Sequence, residues 1–212
     1  MVKLVAFDLD GTLIDSRQDL AAAVNFMRGS MGIAPLESGL IVSFLGDGPA
    51  ALVRRAIADA EIDFDEALSR MKRYYADHVV DTTVLFSGAE NALRELKEYG
   101  AKLAVVTNKP QAPTEKILSL LGVKDLFDDV IGGDADFPLK PEPDSLIHLM
   151  KKYSFEPAEC WMVGDHYTDL ESGRRAGFRR IFASYGFGEC REETPDYEAQ
   201  NFSDIPLILK GF

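Results

Sequence analysis

Between residues 86 and 183, short apolar runs alternate with helix-patterned segments of about ten residues. This alternation restricts the fold more than any other feature of the chain. Lys102-Leu103-Ala104-Val105-Val106-Thr107 and Cys160-Trp161-Met162-Val163-Gly164 have near-continuous apolar centres, as strands buried on both faces do. Shorter strands are predicted over 129–132 and 180–183. Between them fall four helices. Gly88 opens the first, with Ala89, Leu93 and Leu96 on one face, and Gly100 closes it. The others end at Leu121-Gly122, run near 144–153, and lie around 169–176. Strands separated by whole helices point to a parallel sheet covered on both faces. The stretch 186–204, rich in Glu, Asp and Gly, is expected to cross the surface irregularly.

Leu4-Val5-Ala6-Phe7 reads as another strand of this sheet, but a different texture follows it. Leu20, Val24, Met27 and Met31 share a face at helical spacing, so 17–31 is predicted helical, with Ser16 and Asp19 as its capping pair. Gly32 and Pro35 break that pattern, and periodicity is poor between Leu36 and Leu45. After the turn Gly46-Asp47-Gly48-Pro49 come two more helical faces. One holds Leu52, Val53, Ala56, Ile57 and Ala60; the other holds Phe64, Leu68, Met71, Tyr75 and Val79. The fold expected is therefore α/β, a parallel-sheet body with an all-helical unit inserted after the first strand. The body would comprise 1–15 and 86–212, and the insert 16–85. The chain leaves the body near Asp15–Ser16 and returns near Leu85–Gly88, a paired crossing that can serve as a hinge for a lid.

Asp8 and Asp10 follow the first strand directly. Two residues apart in extended chain, they face one side. Two anions that close repel, and burial makes this worse, so a divalent cation or a shared proton must offset them. Gly11 permits a tight turn there and Thr12 adds a hydroxyl. In a parallel sheet every strand ends at the same edge, where ligands bind. The second strand end offers Thr107-Asn108-Lys109, the loop after the third Lys140-Pro141, and the fourth Gly164-Asp165-His166-Tyr167-Thr168-Asp169. Each has an ordinary explanation alone, as a cap, a turn or a solvated lysine. Collected at one edge, four acids, a cation and a hydroxyl–amide pair match a phosphate held between Mg²⁺ and a lysine.

These segments, in this order, resemble the four motifs of the haloacid dehalogenase-like hydrolases, and the chain is similar to their phosphoglycolate-phosphatase-like branch over essentially its full length. The resemblance implies a Rossmann-like three-layer body, a helical cap, Mg²⁺ dependence and phosphoaspartyl chemistry. By that resemblance Asp8 is the nucleophile and Asp10 the acid and base. Asp8, the backbone carbonyl of Asp10, and Asp165 hold Mg²⁺, with Asp169 supporting the metal waters or Lys140. Thr107, Asn108 and Lys140 bind phosphoryl oxygens. An acid at position 10 favours phosphate transfer over dehalogenation, which needs no proton on its leaving group. His166 departs from the small polar residues usual there and is expected to be an exposed loop residue. The turn at Gly46–Gly48 with Arg54 or Arg55 is the expected face for the organic group.

The best substrate on these grounds is a small phosphomonoester, first 2-phosphoglycolate. A nucleotide or sugar phosphate, a pyrophosphate, a mutase and a non-catalytic phospholigand binder remain as alternatives. A formal charge of −12 argues against nucleic-acid or anionic-membrane partners. Cys160 and Cys190 lack metal spacing, and Cys160 sits in an apolar run. No stretch has the length and apolarity of a membrane span, and none reads as a leader, so a cytoplasmic protein is expected.

Overall fold

The computed structural model describes residues 2–212. The chain opens with β1 (Leu4–Phe7), fully buried, then turns through Gly11 into β2 (Ile14–Asp15). Four helices follow: α1 (Arg17–Ser30), α2 (Ser38–Val42), α3 (Gly48–Ala56) and α4 (Phe64–Asp77). The chain comes back through β3 (Val84–Leu85), and only then does strand–helix alternation begin. It runs α5 (Ala89–Glu98), β4 (Lys102–Val106), α6 (Gln111–Leu120), β5 (Asp129–Ile131), α7 (Asp144–Tyr153), β6 (Cys160–Gly164), α8 (Tyr167–Ala176) and β7 (Arg179–Ala183). A further strand, β8 (Tyr197–Ala199), and α9 (Asp204–Leu209) end it.

The six long-range strands form one parallel sheet in the order β5-β4-β1-β6-β7-β8, which places β1 between β4 and β6. The period-2 rule sorts its side chains into two layers. Leu4, Ala6, Ala104, Val106 and Met162 pack with Leu146 and Leu149 of α7 on one face. Val5, Phe7, Leu103, Val105 and Trp161 face the other way, with Leu93 of α5 and Ile117 of α6. Phe202 stacks on Phe7 at 5.8 Å and, with Ile205 and Leu209, brings α9 into that layer. This is the Rossmann-like three-layer body, with the helices α1–α4 inserted after β1 as an all-helical cap. No helix among the described residues is long and apolar enough to cross a membrane.

The crossing between body and cap is a two-stranded antiparallel ribbon, Ile14 opposite Leu85 and Asp15 opposite Val84. Ser16 and Asp19 do not cap α1. The Ser16 hydroxyl donates to Asp10 instead, and the Asp19 carboxylate accepts from the N–H and hydroxyl of both Thr82 and Thr83. That clasp joins the two ends of the insert, an arrangement a local capping rule cannot anticipate. Within the cap, Val24, Met27, Val53, Ala56 and Met71 form the buried centre. Arg28 is buried there, bidentate on Asp59 and donating to Ala34 O at 2.6 Å. The segment after β7 is more ordered than its composition suggests: β8 extends the sheet, and residues 186–188 reach the strand edge described next.

Candidate active site

The groups read from the strand ends, Asp8, Asp10, Thr107, Asn108, Lys140, Asp165 and Asp169, arrive together at the carboxyl edge of the central strands. Asp8 leaves the end of β1, its N–H bonded to Val163 O at 2.9 Å. The Lys140 ammonium donates to Asp8 Oδ1 at 2.7 Å, Asp169 Oδ1 at 2.6 Å and Val106 O at 2.6 Å, so its three protons are all placed. Asp165 ends β6. Its Oδ2 accepts from the N–H groups of Phe187 and Gly188, and its Oδ1 faces the Thr12 hydroxyl at 3.3 Å. Gly11 has φ +87°, and a Cβ there would lie 2.0 Å from Asp165 Oδ2, so this turn admits only glycine. Asp169, in the first turn of α8, accepts the N–H of His166 through its second oxygen.

Asp8, Asp165 and Asp169 each bring one carboxylate oxygen within 4.8 Å of the others. Oxygen donors from carboxylates are what a hard divalent cation takes. The Asp10 side chain lies outside that trio. Its carboxylate turns to Lys109, whose ammonium donates to both oxygens at 2.8 and 2.9 Å. The sequence places Lys109 in the Thr107-Asn108-Lys109 strand end but points to no role for it. Its only signal is adjacency to Thr107 and Asn108.

The electrostatics show what the pocket lacks. Burial pushes the Asp8 carboxyl up to about 6, with Lys140 pulling against it and Asp169 and Asp10 adding repulsion. Burial, then Asp8 and Asp169, hold Asp165 well above the usual carboxylate range. For Lys140 burial disfavours the charge, yet Asp169 and Asp8 outweigh it and raise the ammonium above its ordinary value. Four carboxylates, those of Asp8, Asp10, Asp165 and Asp169, meet two ammonium groups, Lys109 and Lys140. With all four carboxylates ionised the excess would be two negative charges, the amount one divalent cation neutralises, and the raised Asp8 and Asp165 values reflect the cost of that state.

Asn108 behaves differently from expectation. Its Oδ1 accepts the N–H of Lys140 at 2.9 Å, and its Nδ2 donates to Lys140 O and Gly46 O, each at 3.0 Å. The amide is thus committed to fixing the Lys140 backbone and the Gly46 turn. What it leaves for an anion is its backbone N–H, which has no acceptor among the described residues; the same holds for Leu9 and Asp10. Thr107 lies beside it, buried, on the wall of the same cavity.

His166 is buried, not exposed. Its ring lies under Gly46, where an added Cβ would come within 2.6 Å of it, and its Nδ1 meets Thr168 Oγ1 at 3.0 Å. Burial draws its pKa down to about 4, so near neutral pH the ring is uncharged. The cap covers it: Tyr167 OH donates to Asp47 Oδ1 at 3.2 Å beside it. Arg54 and Arg55 do not reach the cavity wall. Arg54 lies over the Phe64 ring at 4.1 Å, and Arg55 pairs with Asp47 and Phe44 O. Between cap and body lies a cavity of about 870 Å³ into which Asp8, Asp10, Lys109 and Tyr75 open.

Comparison with known proteins agrees with this arrangement. The sequence profile of the haloacid dehalogenase-like hydrolases matches residues 5–183. A phosphoglycolate phosphatase of Haemophilus influenzae is 32% identical over 98% of this chain and 98% of its own. One of Psychrobacter arcticus is 35% identical over 99% and 97%. The crystal structure of a predicted phosphoglycolate phosphatase from Haemophilus somnus superposes with a TM-score of 0.94 at 30% identity, covering 98% of this chain and 97% of that one. The chain belongs to the haloacid dehalogenase-like hydrolases, in their phosphoglycolate-phosphatase-like branch.

Proposed function

We propose that this chain is a cytoplasmic, Mg²⁺-dependent phosphatase that hydrolyses a small organic phosphomonoester through a phosphoaspartyl intermediate on Asp8. Residues 16–85 act in it as a cap over the body formed by 1–15 and 86–212, pivoting on the β2–β3 ribbon. The supporting observation is a cluster of carboxylates that outnumber their ammonium partners at a strand edge that also presents backbone N–H groups without acceptors among the described residues. Asp8, the carbonyl of Asp10, and Asp165 would hold Mg²⁺, with Asp169 behind them. The ion would supply the positive charge that lets a carboxylate approach a phosphate dianion.

The chain's own groups then divide the chemistry. Lys140 holds Asp8 Oδ1, leaving Oδ2 to attack phosphorus. The Thr107 hydroxyl and the Asn108 N–H would donate to the oxygens that gain charge in the transition state, and the Lys140 ammonium, held on Asp8 and Asp169, would add its positive charge beside them. Asp10 in its acid form gives its proton to the departing alkoxide as the phosphorus–oxygen bond breaks. The resulting Asp10 carboxylate takes a proton from the water that attacks the acyl phosphate, which frees phosphate and restores Asp8.

Hydrolysis of p-nitrophenyl phosphate with Mg²⁺, abolished by EDTA, is the expected result. Asp8→Asn should stay folded with less than about 0.1% of the activity, since a nucleophile is removed outright. Retention of more than a few per cent would displace Asp8 from its role. Turnover absent under both conditions would favour a phospholigand-binding protein.

The relatives' names make 2-phosphoglycolate the first substrate to try. The cavity favours a second reading, a larger ester such as a sugar or nucleotide phosphate. Its volume of about 870 Å³ far exceeds a two-carbon acid, and Leu20, Val42, Leu45, Leu52 and Met71 give it an apolar wall. A screen of phosphate esters by kcat/KM decides between them, because those ratios compare transition-state binding.

A further inference from the structure

The Asp10 carboxylate is held by two groups of different origin, Lys109 and Ser16, and Lys109 is tied in turn to the cap. Lys109, on the loop after β4, donates to both of its oxygens. Ser16, at the crossing into the cap, donates to Oδ1 at 2.5 Å. The third Lys109 proton goes to the hydroxyl of Tyr75, on cap helix α4, at 2.7 Å, and the ammonium lies 4.6 Å from that ring's centroid. Lys109 and Tyr75 are both buried. Among the described residues no other acidic side chain pairs with Lys109, so Asp10 is the one counter-charge of this buried ammonium. The Tyr75 hydroxyl proton has no acceptor among the described residues, and the side chain borders the cavity.

A strut joining cap to body needs no particular body partner. This one ends on the carboxylate that must be aimed at a leaving group, and it ends there through both oxygens. We propose that Lys109 and Tyr75 are positioning residues for Asp10: the ammonium fixes where the carboxylate sits for proton transfer, and Tyr75 ties that placement to a docked cap. The inference rests on the phosphatase reading, with Asp10 as acid and base. It implies that proton transfer is best supported when α4 lies over the site and water is excluded.

The test compares kcat/KM for p-nitrophenyl phosphate, whose leaving group departs with little protonation, and for glycerol phosphate, whose alkoxide needs a proton. Both are measured with Mg²⁺ on the wild type, Lys109→Met and Tyr75→Phe. Lys109→Met should lose about 100-fold or more on the alkyl ester and less than about tenfold on the aryl ester. Tyr75→Phe should lose about tenfold on the alkyl ester alone, the low end of the effect of one hydrogen bond to a charged group. It removes a single hydroxyl and carries the test if Lys109→Met does not fold. Equal losses on both esters would mean the lysine only holds the structure together and would overturn the inference. Tyr75→Phe indistinguishable from wild type on both would overturn the coupling to the cap. A wild type without Mg²⁺-dependent turnover of either ester would overturn the phosphatase reading itself, a result that no variant can mimic.

Discussion

At Asp8 the protein holds a carboxyl group in a place where its charged form is disfavoured, and stability registers this before activity does. Its folded value of about 6 lies above the ordinary 3.8. A raised acid contributes stability that is complete below pH 3.8 and lost as pH rises through about 6. Asp165, also raised by burial and by the neighbouring carboxylates, acts with the same sign. Asp15, Asp19, Asp47 and Asp128 are lowered and lose their contribution only in more acid solution, so the two windows separate. His166, drawn down from 6.5 to about 4, has the opposite sign and gives stability back as pH rises over the same interval, so without metal Tm should change little between about pH 4 and pH 6. Mg²⁺ at a hundredfold excess over its Kd should add about 3 kcal/mol above pH 6, roughly 5–10 °C in Tm, and little near pH 4. Asp165→Asn should abolish that Mg²⁺-induced rise in a thermal melt; a rise that persists would take Asp165 out of the metal site.

At the scale of elements, the Gly46–Gly48 turn is where cap meets strand edge. Gly46 has φ +103°, gives its carbonyl to Asn108, and leaves space that the His166 ring fills. Gly46→Ala combines a strained backbone with a clash against that ring, so the turn must lift. The expected outcome is a fall in kcat/KM of tenfold or more with the body's melting little changed, a mislocated cap being felt mainly in transition-state binding. The Asp19 clasp predicts the opposite pattern. Asp19→Ala strands the hydroxyls and N–H groups of Thr82 and Thr83 and should destabilise the protein by about 2–4 kcal/mol, measured by urea unfolding. Strands β1, β4 and β6 were legible because fully buried parallel strands write apolar runs that need no partner to be recognised. Strand β8 was not, since a three-residue edge strand with one buried side chain leaves no pattern. Helix α2, five residues with only Ile41 buried, failed for the same reason.

The whole molecule brings together groups that the sequence holds far apart, and this is where legibility divides. Asp8, Asp165, Asp169 and Lys140 could be read as one site because a parallel sheet must bring its strand ends to one edge. The burial of His166, the Asn108–Gly46 bond and the Lys109–Tyr75 contact all depend on how the cap docks, a relation between two units that neither unit's pattern encodes. The tail shows this in miniature: residues 187 and 188, whose composition suggested an irregular surface crossing, supply two of the N–H groups that hold Asp165. The account as a whole requires Asp8 to carry phosphate during turnover. Enzyme quenched in acid at steady state with an excess of p-nitrophenyl phosphate and Mg²⁺, then digested and sequenced by mass spectrometry, should show a phosphoryl group on Asp8 and nowhere else. Phosphate on another residue, or sustained turnover with Asp8 unmodified, would contradict it.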